Sequence, residues 1–336
     1  MGNPAEPFKV ALIGLGRMGS GYDGGRPAAL PRSHVGAILA NPALALTAVC
    51  DVMPEARAAF SADWNLSTPV FDNTEQLFSH ARYDIVVVAS ATSTHERILT
   101  QCLETAPRIV FCEKPFCSDA ATAARLARQF SENGIQVAVN YHRRWDARFS
   151  DLREALRQSG PVRHVELLYM KGLRNYGAHA IDLLQFLFGP VRTVSPLPRP
   201  ATAASGLADP SYSAILSFTD ALQVDMVGFD DIDYELLDLD IVTQTARFNV
   251  EIGGHAIGMR RFEEGLYFKG YANLSAAQPL CATGPVHGLT QAYEEFVRSL
   301  REGTPAKTSP ADNAVGVQRV MDAIVHAARH GERTAL

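Results

Sequence analysis

Three side chains of this sequence have the type and spacing to move a proton. The β-branched run RIVFC ends in Glu113, Lys114 and Pro115. At the carboxyl end of a parallel strand, a lysine ammonium can polarise a carbonyl or stabilise a developing alkoxide. The segment GAHAIDLLQFLFG carries His179 and Asp182 at helical spacing, with Leu183, Leu184, Leu187 and Phe188 as the apolar stripe that docks it. The positive end of a helix dipole disfavours imidazolium, so His179, read as standing at the helix start, is expected to be neutral and able to accept a proton. Asp182, three residues on, shares its face and could orient the ring.

A second group of residues reads as a nucleotide site. Gly14, Gly16 and Gly19 of GLGRMG, with Leu15, Arg17 and Met18 between them, directly follow the strand-like KVALI. In that context the first glycine permits a tight turn, the second lets backbone N–H groups approach a pyrophosphate, and the third allows close helix packing. Asp51 ends the next apolar run, where a carboxylate can accept from both adenosine ribose hydroxyls and would repel a 2′-phosphate, which favours NAD over NADP. Ser90, Ala91, Thr92 and His95 of ASATSTH follow a further run and belong at the same edge of the sheet; His95 either faces the cofactor or caps the helix that follows. One spacing is unusual: Gly19 and Asp51 are 32 positions apart (51 minus 19), where about 20 is expected. The surplus lies in the Gly- and Pro-rich Ser20–Ser33, read as an insertion that is either a flap, with Tyr22 and Arg26 reaching in, or an idle surface loop.

These groups need elements to position them. FKVALIGLG, ALALTAVCD, YDIVVVAS, RIVFCEK and IQVAVN alternate with helix-sized segments, the rhythm of a doubly wound parallel sheet. From about Val162 the pattern becomes strand-like alternation without intervening helices, broken by the His179 helix, which ends at Gly189-Pro190. The expected architecture is an N-terminal Rossmann domain over residues 6–141. An α+β domain with a large, mostly antiparallel open sheet follows over 142–336, closed by two C-terminal helices. Ser195–Pro210 reads as an extended loop.

Composition narrows the function. The 336 residues are 47% hydrophobic and 20% charged, with a net charge of -5 from interspersed acids and bases, so nothing suggests a nucleic-acid or membrane partner. A small molecule is the expected partner. Five cysteines without a C-x-x-C pair argue against a disulfide framework and a zinc site, no metal is expected, and the polar N-terminus shows no export signal. A reducing cytoplasm is the expected location.

GLGRMG, Asp51, ASATSTH, EKP, NYHRRWD and GAHAIDLL stand in the order seen in the family of glucose-fructose oxidoreductase, inositol dehydrogenase and rhizopine-catabolism proteins, which this chain resembles along nearly its whole length. The resemblance implies NAD-linked oxidation or reduction of a sugar, cyclitol, sugar acid or nucleotide sugar, and a homodimer or homotetramer formed through the second sheet. It implies that Lys114 contacts the reacting hydroxyl, that His179 is the acid/base, and that Asn140 contacts the cofactor and Arg143 the substrate. Arg144, Trp145, Arg174, Tyr176 and Tyr234 are further candidates for specificity. The paired arginines suit a phosphate or carboxylate on the substrate, or else make surface ion pairs. Two alternatives stay open: an NAD-dependent glycosidase or eliminase in which hydride leaves and returns, and a non-enzymatic NAD-binding sensor. The sequence departs from the family at Asn175, where many members carry Asp. Asp182 could compensate, the substrate contact could differ, or the reaction could; an altered substrate contact is favoured. TQTARFNV, Thr243–Val250, also lacks a glycine turn common in that sheet.

Overall fold

A computed structural model describes residues 6–336 except 27, 198–208, 220–221, 230–233, 266–267, 269 and 285–287. Its contacts divide the chain into two units, Met1–Trp145 with His287–Val315 and Asp146–Val286 with Gly316–Leu336. The sequence reading put everything beyond residue 141 into the second domain. The contacts place residues up to 145 and the segment 287–315 in the first unit and return 316–336 to the second.

The first unit holds six parallel strands: β1 (Phe8–Ile13), β2 (Leu44–Cys50), β3 (Val70–Phe71), β4 (Ile85–Val88), β5 (Ile109–Cys112) and β6 (Gln136–Val139). Their order is β3-β2-β1-β4-β5-β6, the doubly wound Rossmann arrangement. Helices α1 (His34–Leu39), α2 (Pro54–Trp64), α3 (Thr74–His80), α4 (Thr92–Thr105) and α5 (Ala120–Glu132) connect them. Every residue of β4 and β5 is buried, as continuous apolar strands covered on both faces must be. Strand order reverses between β1 and β4, and ligands of such sheets bind outside the carboxyl ends there. β3 was not read from the sequence, because two residues, Val70 exposed and Phe71 half-buried, are too short for periodicity to show.

The second unit opens with α6 (Ala147–Gln158) and β7 (Val162–Tyr169), continues through the helical segment bearing His179, whose α-helical part is α7 (Ala178–Phe188), and then builds a sheet. Its strands are β8 (Thr193–Pro196), β9 (Ala214–Ser217), β10 (Gln223–Gly228), β11 (Leu237–Thr243), β12 (Ala246–Glu251), β13 (Ala256–Glu264), β14 (Ala272–Leu274), β15 (Gln278–Pro279) and, at the chain end, β16 (Thr334–Ala335). With β7 they form a ten-stranded sheet in which the β7–β10 pair is parallel and the other pairs are antiparallel. The loop expected over 195–210 enters as the end of β8, and 198–208 lie outside the described residues. The β11–β12 turn manages without glycine: the Thr243 hydroxyl bonds both backbone groups of Ala246, and the N–H groups of Gln244 and Thr245 donate to Pro161 and Ser159.

Both closing helices form, as α8 (Gly288–Glu302) and α9 (Ala311–His330). α8 joins the first unit because Leu289, Ala292, Tyr293, Phe296, Val297 and Leu300 recur at helical spacing and bury a stripe in the core around Phe111 and Trp145. Phe296 meets Phe111 edge to face at 4.9 Å. Each such large side chain contributes about 1.5–3 kcal/mol relative to exposure.

Candidate functional site

The three fingerprint glycines have distinct physical reasons. Gly14 adopts φ 100°, and a Cβ there would lie 2.4 Å from the Ala89 carbonyl carbon, so the turn after β1 rests against the end of β4. A Cβ on Gly19 would lie 2.0 Å from the Gly14 carbonyl oxygen, which is the close packing the third glycine permits. Gly16 is exposed, with no heavy atom within 4 Å of its Cβ position. That open ground above the turn suits the close approach of a pyrophosphate. Leu15 is buried and its N–H donates to Asp51 Oδ2 at 2.7 Å; the Met53 N–H donates to Oδ1 at 2.8 Å. The carboxylate is thus fixed at the end of β2, and each oxygen keeps a lone pair for a ribose hydroxyl. Arg17 is exposed and Met18 half-buried on the same turn.

The insertion is spliced into the first helix. The N–H groups of His34 and Val35, which open α1, donate to the Met18 and Gly19 carbonyls at 2.8 and 3.0 Å, so the helix begun at the glycine turn resumes across the looped-out segment. Buried Asp23 closes the loop: Oδ2 accepts from the Ser33 N–H at 2.8 Å and from its hydroxyl at 2.5 Å, and both carboxylate oxygens lie within hydrogen-bond reach of the Arg32 N–H. Ser20 O accepts from Trp64 Nε1, and Gly25 lies against the Asp63 backbone, at the end of α2 remote from Asp51. These fixed points face α2; Tyr22 and Arg26, the side chains named for a flap, are exposed.

At the ends of β4, β5 and β6 the first unit gathers Ser90, Ala91, Thr92, Glu113, Lys114 and Asn140. The Ser90 and Thr94 hydroxyls share a 2.8 Å hydrogen bond where α4 begins. His95, expected as a cofactor contact, is corrected. It is fully buried, with Nε2 facing Ser90 O at 3.0 Å and Nδ1 facing Pro115 O at 3.0 Å and Phe116 O at 3.2 Å. The ring clamps two turns together and has no surface left for a ligand. Buried Glu113 accepts at Oε1 from Asn140 Nδ2 (2.7 Å) and His34 Nε2 (3.0 Å), and His34 Nδ1 meets the Tyr293 hydroxyl at 2.8 Å. Sequence reasoning did not find His34 or Tyr293. One closes an insertion and the other is a core position of a distant helix, so no local pattern links them.

NYHRRWD forms a turn in which Arg143 is buried and Arg144 half-buried. Trp145, expected at the substrate, is corrected to a core residue: Nε1 donates to Glu295 Oε2 at 2.5 Å, and its ring packs edge-on to Phe111 and Phe296.

In the second unit the helix begins earlier than expected. Gly172–Gly177 form a π-helical turn that runs directly into α7, and the Asp209 carboxylate accepts from the Arg174 and Asn175 N–H groups at 2.9–3.0 Å. The helical start lies near Gly172, with a carboxylate on it, so the dipole argument for a neutral His179 does not hold. Exposed Asn175, half-buried His179 and buried Asp182 follow one another at i, i+4 and i+7, along one face. Tyr176 donates its hydroxyl to Glu235 Oε2 at 2.8 Å, and Lys171 pairs with the same carboxylate, its ammonium 5.4 Å from the centre of the Tyr176 ring. The Lys171 and Tyr176 hydrogen bonds hold the Glu235 carboxyl below its usual range. Arg174 and Tyr234 are exposed. Among the described residues no group of three His, Cys, Asp or Glu side chains is placed to hold a metal, and no helix is long and apolar enough to cross a membrane.

A parallel sheet of this order, with an open glycine turn after β1 and a fixed carboxylate after β2, is the arrangement of a dinucleotide-binding domain. Residues 8–141 match the model of the oxidoreductase family of glucose-fructose oxidoreductase, inositol dehydrogenase and rhizopine-catabolism proteins, which describes an NAD-binding Rossmann fold. The chain is 27% identical to inositol 2-dehydrogenase 1 of Saccharopolyspora erythraea over 90% of this chain and 97% of that protein. It is 26% identical to inositol 2-dehydrogenase of Rhizobium meliloti over 54% of this chain, an alignment that spans 55% of that enzyme's length. The WlbA dehydrogenase of Bordetella pertussis, solved in complex with NADH and UDP-GlcNAcA, shares the fold with a TM-score of 0.75 at 18% identity, covering 98% of this chain and 99% of that one.

Proposed function

We propose that this protein transfers hydride between NAD and a carbinol carbon of a sugar, cyclitol, sugar acid or nucleotide sugar, with Lys114 and His179 as the hydroxyl-binding and acid/base groups. The observation that carries the reading is Lys114, two residues beyond the end of β5 in the unit whose glycine turn and Asp51 suit a dinucleotide. The nicotinamide ring, when bound, supplies the hydride acceptor. The residues do the rest: Asp51 holds ribose hydroxyls, the Gly14–Met18 turn presents N–H groups, Lys114 stabilises negative charge on the carbinol oxygen and His179 takes its proton. Relatives named for inositol and a neighbour bound to a nucleotide sugar support a polyhydroxylated substrate. Exposed Phe262, Phe268 and Tyr271 around the β13–β14 edge support a homodimer or homotetramer through the second sheet, and five free cysteines support a reducing cytoplasm.

The test is NADH absorbance during incubation with NAD and a panel of cyclitols, aldoses, sugar acids and nucleotide sugars, beside Lys114→Ala. NADH from one class, lost in the variant, is expected. Bound NAD without net NADH from any class would replace this reading with internal redox cycling or sensing.

Preference for NAD rests on the Asp51 charge. Asp51→Asn keeps an acceptor for the Leu15 N–H while removing the repulsion of a 2′-phosphate. The ratio of NADPH to NADH affinity, read by fluorescence titration, is expected to rise roughly tenfold or more. Equal affinities in the unmodified protein would refute the preference.

Asn175 can hydrogen-bond a hydroxyl but cannot stabilise imidazolium by charge. Asn175→Asp is therefore expected to change kcat/KM ratios between substrates by about tenfold and to leave the pH profile of turnover nearly in place. A moved profile with unchanged substrate ranking would mean that position 175 acts on His179 instead.

A further inference from the structure

The insertion delivers a buried histidine to the residue before Lys114, and what that histidine does follows from donors and acceptors. Glu113 Oε1 can only accept while ionised, so the nitrogen of the Asn140 amide must face it, at 2.7 Å. The amide orientation is thereby fixed. Its oxygen, Oδ1, is buried and has no hydrogen-bond partner. Glu113 Oε1 also takes His34 Nε2 at 3.0 Å, and Oε2 takes the Lys114 backbone N–H at 3.3 Å. On the far side of the ring the Tyr293 hydroxyl holds Nδ1.

We propose that His34 and Tyr293 are positioning residues: by keeping Glu113 ionised they lock Asn140 with its carbonyl oxygen presented as an acceptor for an N–H donor such as a carboxamide, and they brace the Lys114 backbone. This rests on the reading of the β4–β6 edge as the nicotinamide end of the site. The groups facing the carboxylate are His34 from α1, Asn140 after β6 and Lys114 on its own turn, with Tyr293 of α8 behind the ring and the Cys112 thiol one residue before. Burial opposes ionisation of Glu113, but the hydrogen bond and charge of His34, the Asn140 amide and the Lys114 charge outweigh it and hold the carboxyl below its usual range. Burial and the Glu113 charge hold the Tyr293 phenol well above its ordinary value, so its proton stays in place.

The sign of the effect follows. In His34→Leu the burial penalty loses its main counterweight, the carboxyl pKa rises, and protonation frees the Asn140 amide to turn. The measurement is NAD affinity by titration calorimetry from about pH 3.5 to 8, with thermal stability over the same range. In His34→Leu the acid edge of binding is expected to move up by about one unit, which is roughly tenfold weaker binding at a pH between the two edges. The melting-temperature gap to the unmodified protein should widen as pH rises through the carboxylate range and then level off, because ionisation of Glu113 is unsupported in the variant. His34→Gln, which restores an amide donor, should return most of the edge. If His34→Leu does not fold, Tyr293→Phe, which releases Nδ1 alone, is expected to move the edge in the same direction by less. An unmoved edge in a folded variant, or equal impairment by Leu and Gln, would overturn the proposal. A protein that shows the shifts yet turns over no carbinol would overturn the hydride-transfer reading and leave this one standing.

Discussion

Lys114→Ala is expected to lower kcat by roughly 10²–10⁴-fold, the span seen when a group acting on the transferred proton or developing charge is removed. NADH affinity should change far less, because the groups proposed to hold the adenosine and pyrophosphate, Asp51 and the Gly14–Met18 turn, stand on β1 and β2 and depend on none of the Lys114 side chain. The split between kcat and cofactor affinity is the diagnostic part. Loss of binding in proportion to turnover would make Lys114 a cofactor anchor, and a kcat within tenfold of the unmodified protein would remove it from the chemistry. His179→Asn should lower kcat comparably with little effect on NADH binding, since the groups proposed to hold the adenosine and pyrophosphate are Asp51 and the Gly14–Met18 turn.

The second large effect separates two glycines three residues apart. Gly19→Ala is expected to destabilise the protein by about 3 kcal/mol, the upper end for overpacking, because its Cβ would lie 2.0 Å from the Gly14 carbonyl oxygen and 3.1 Å from the Leu15 Cα, both backbone. In a unit of this size that lowers the melting temperature by roughly 6–12 °C. Gly16→Ala should leave the melting temperature nearly unchanged, since its Cβ meets nothing within 4 Å, yet weaken NADH binding by roughly tenfold or more by filling the approach to the backbone. Calorimetry and fluorescence titration on the two variants decide it. If Gly16→Ala bound NADH normally, the pyrophosphate would have to lie elsewhere.

Much of the fold was legible because its signals are local. Continuous apolar runs in β1, β2, β4, β5 and β6 announced a parallel sheet, and Gly189-Pro190 ended α7 as read, with Gly189 at φ 89°. Asp51 and the glycines stood out because strand, turn and strand-end acid fall in one stretch of chain. What stayed hidden was set by distant partners. Trp145 looks like a ligand contact in sequence, and only Phe111, Glu295 and Phe296 make it core. His95 could not be read as a clamp before the Ser90 and Pro115 carbonyls were placed around it. The start of the His179 helix was misjudged because Asp209, which caps it, comes 30 residues later (209 minus 179). The link from His34 to Glu113 and Tyr293 spans three separate elements and has no counterpart in any local spacing.

The splice in the first helix has a consequence for what evolution can do with this chain. Because the His34 N–H donates to Met18 O at 2.8 Å, and Ser20 and Ser33 anchor the two ends of the loop, the length of the covalent path between those anchors contributes little to the geometry on either side. Loop entropy grows only with the logarithm of length, about 0.6 kcal/mol per doubling. The segment between Ser20 and Ser33 is therefore a port where residues can be gained, lost or opened to new chain ends, while the glycine turn and His34 keep their places, provided a carboxylate like that of Asp23 remains to hold Ser33 and shut it.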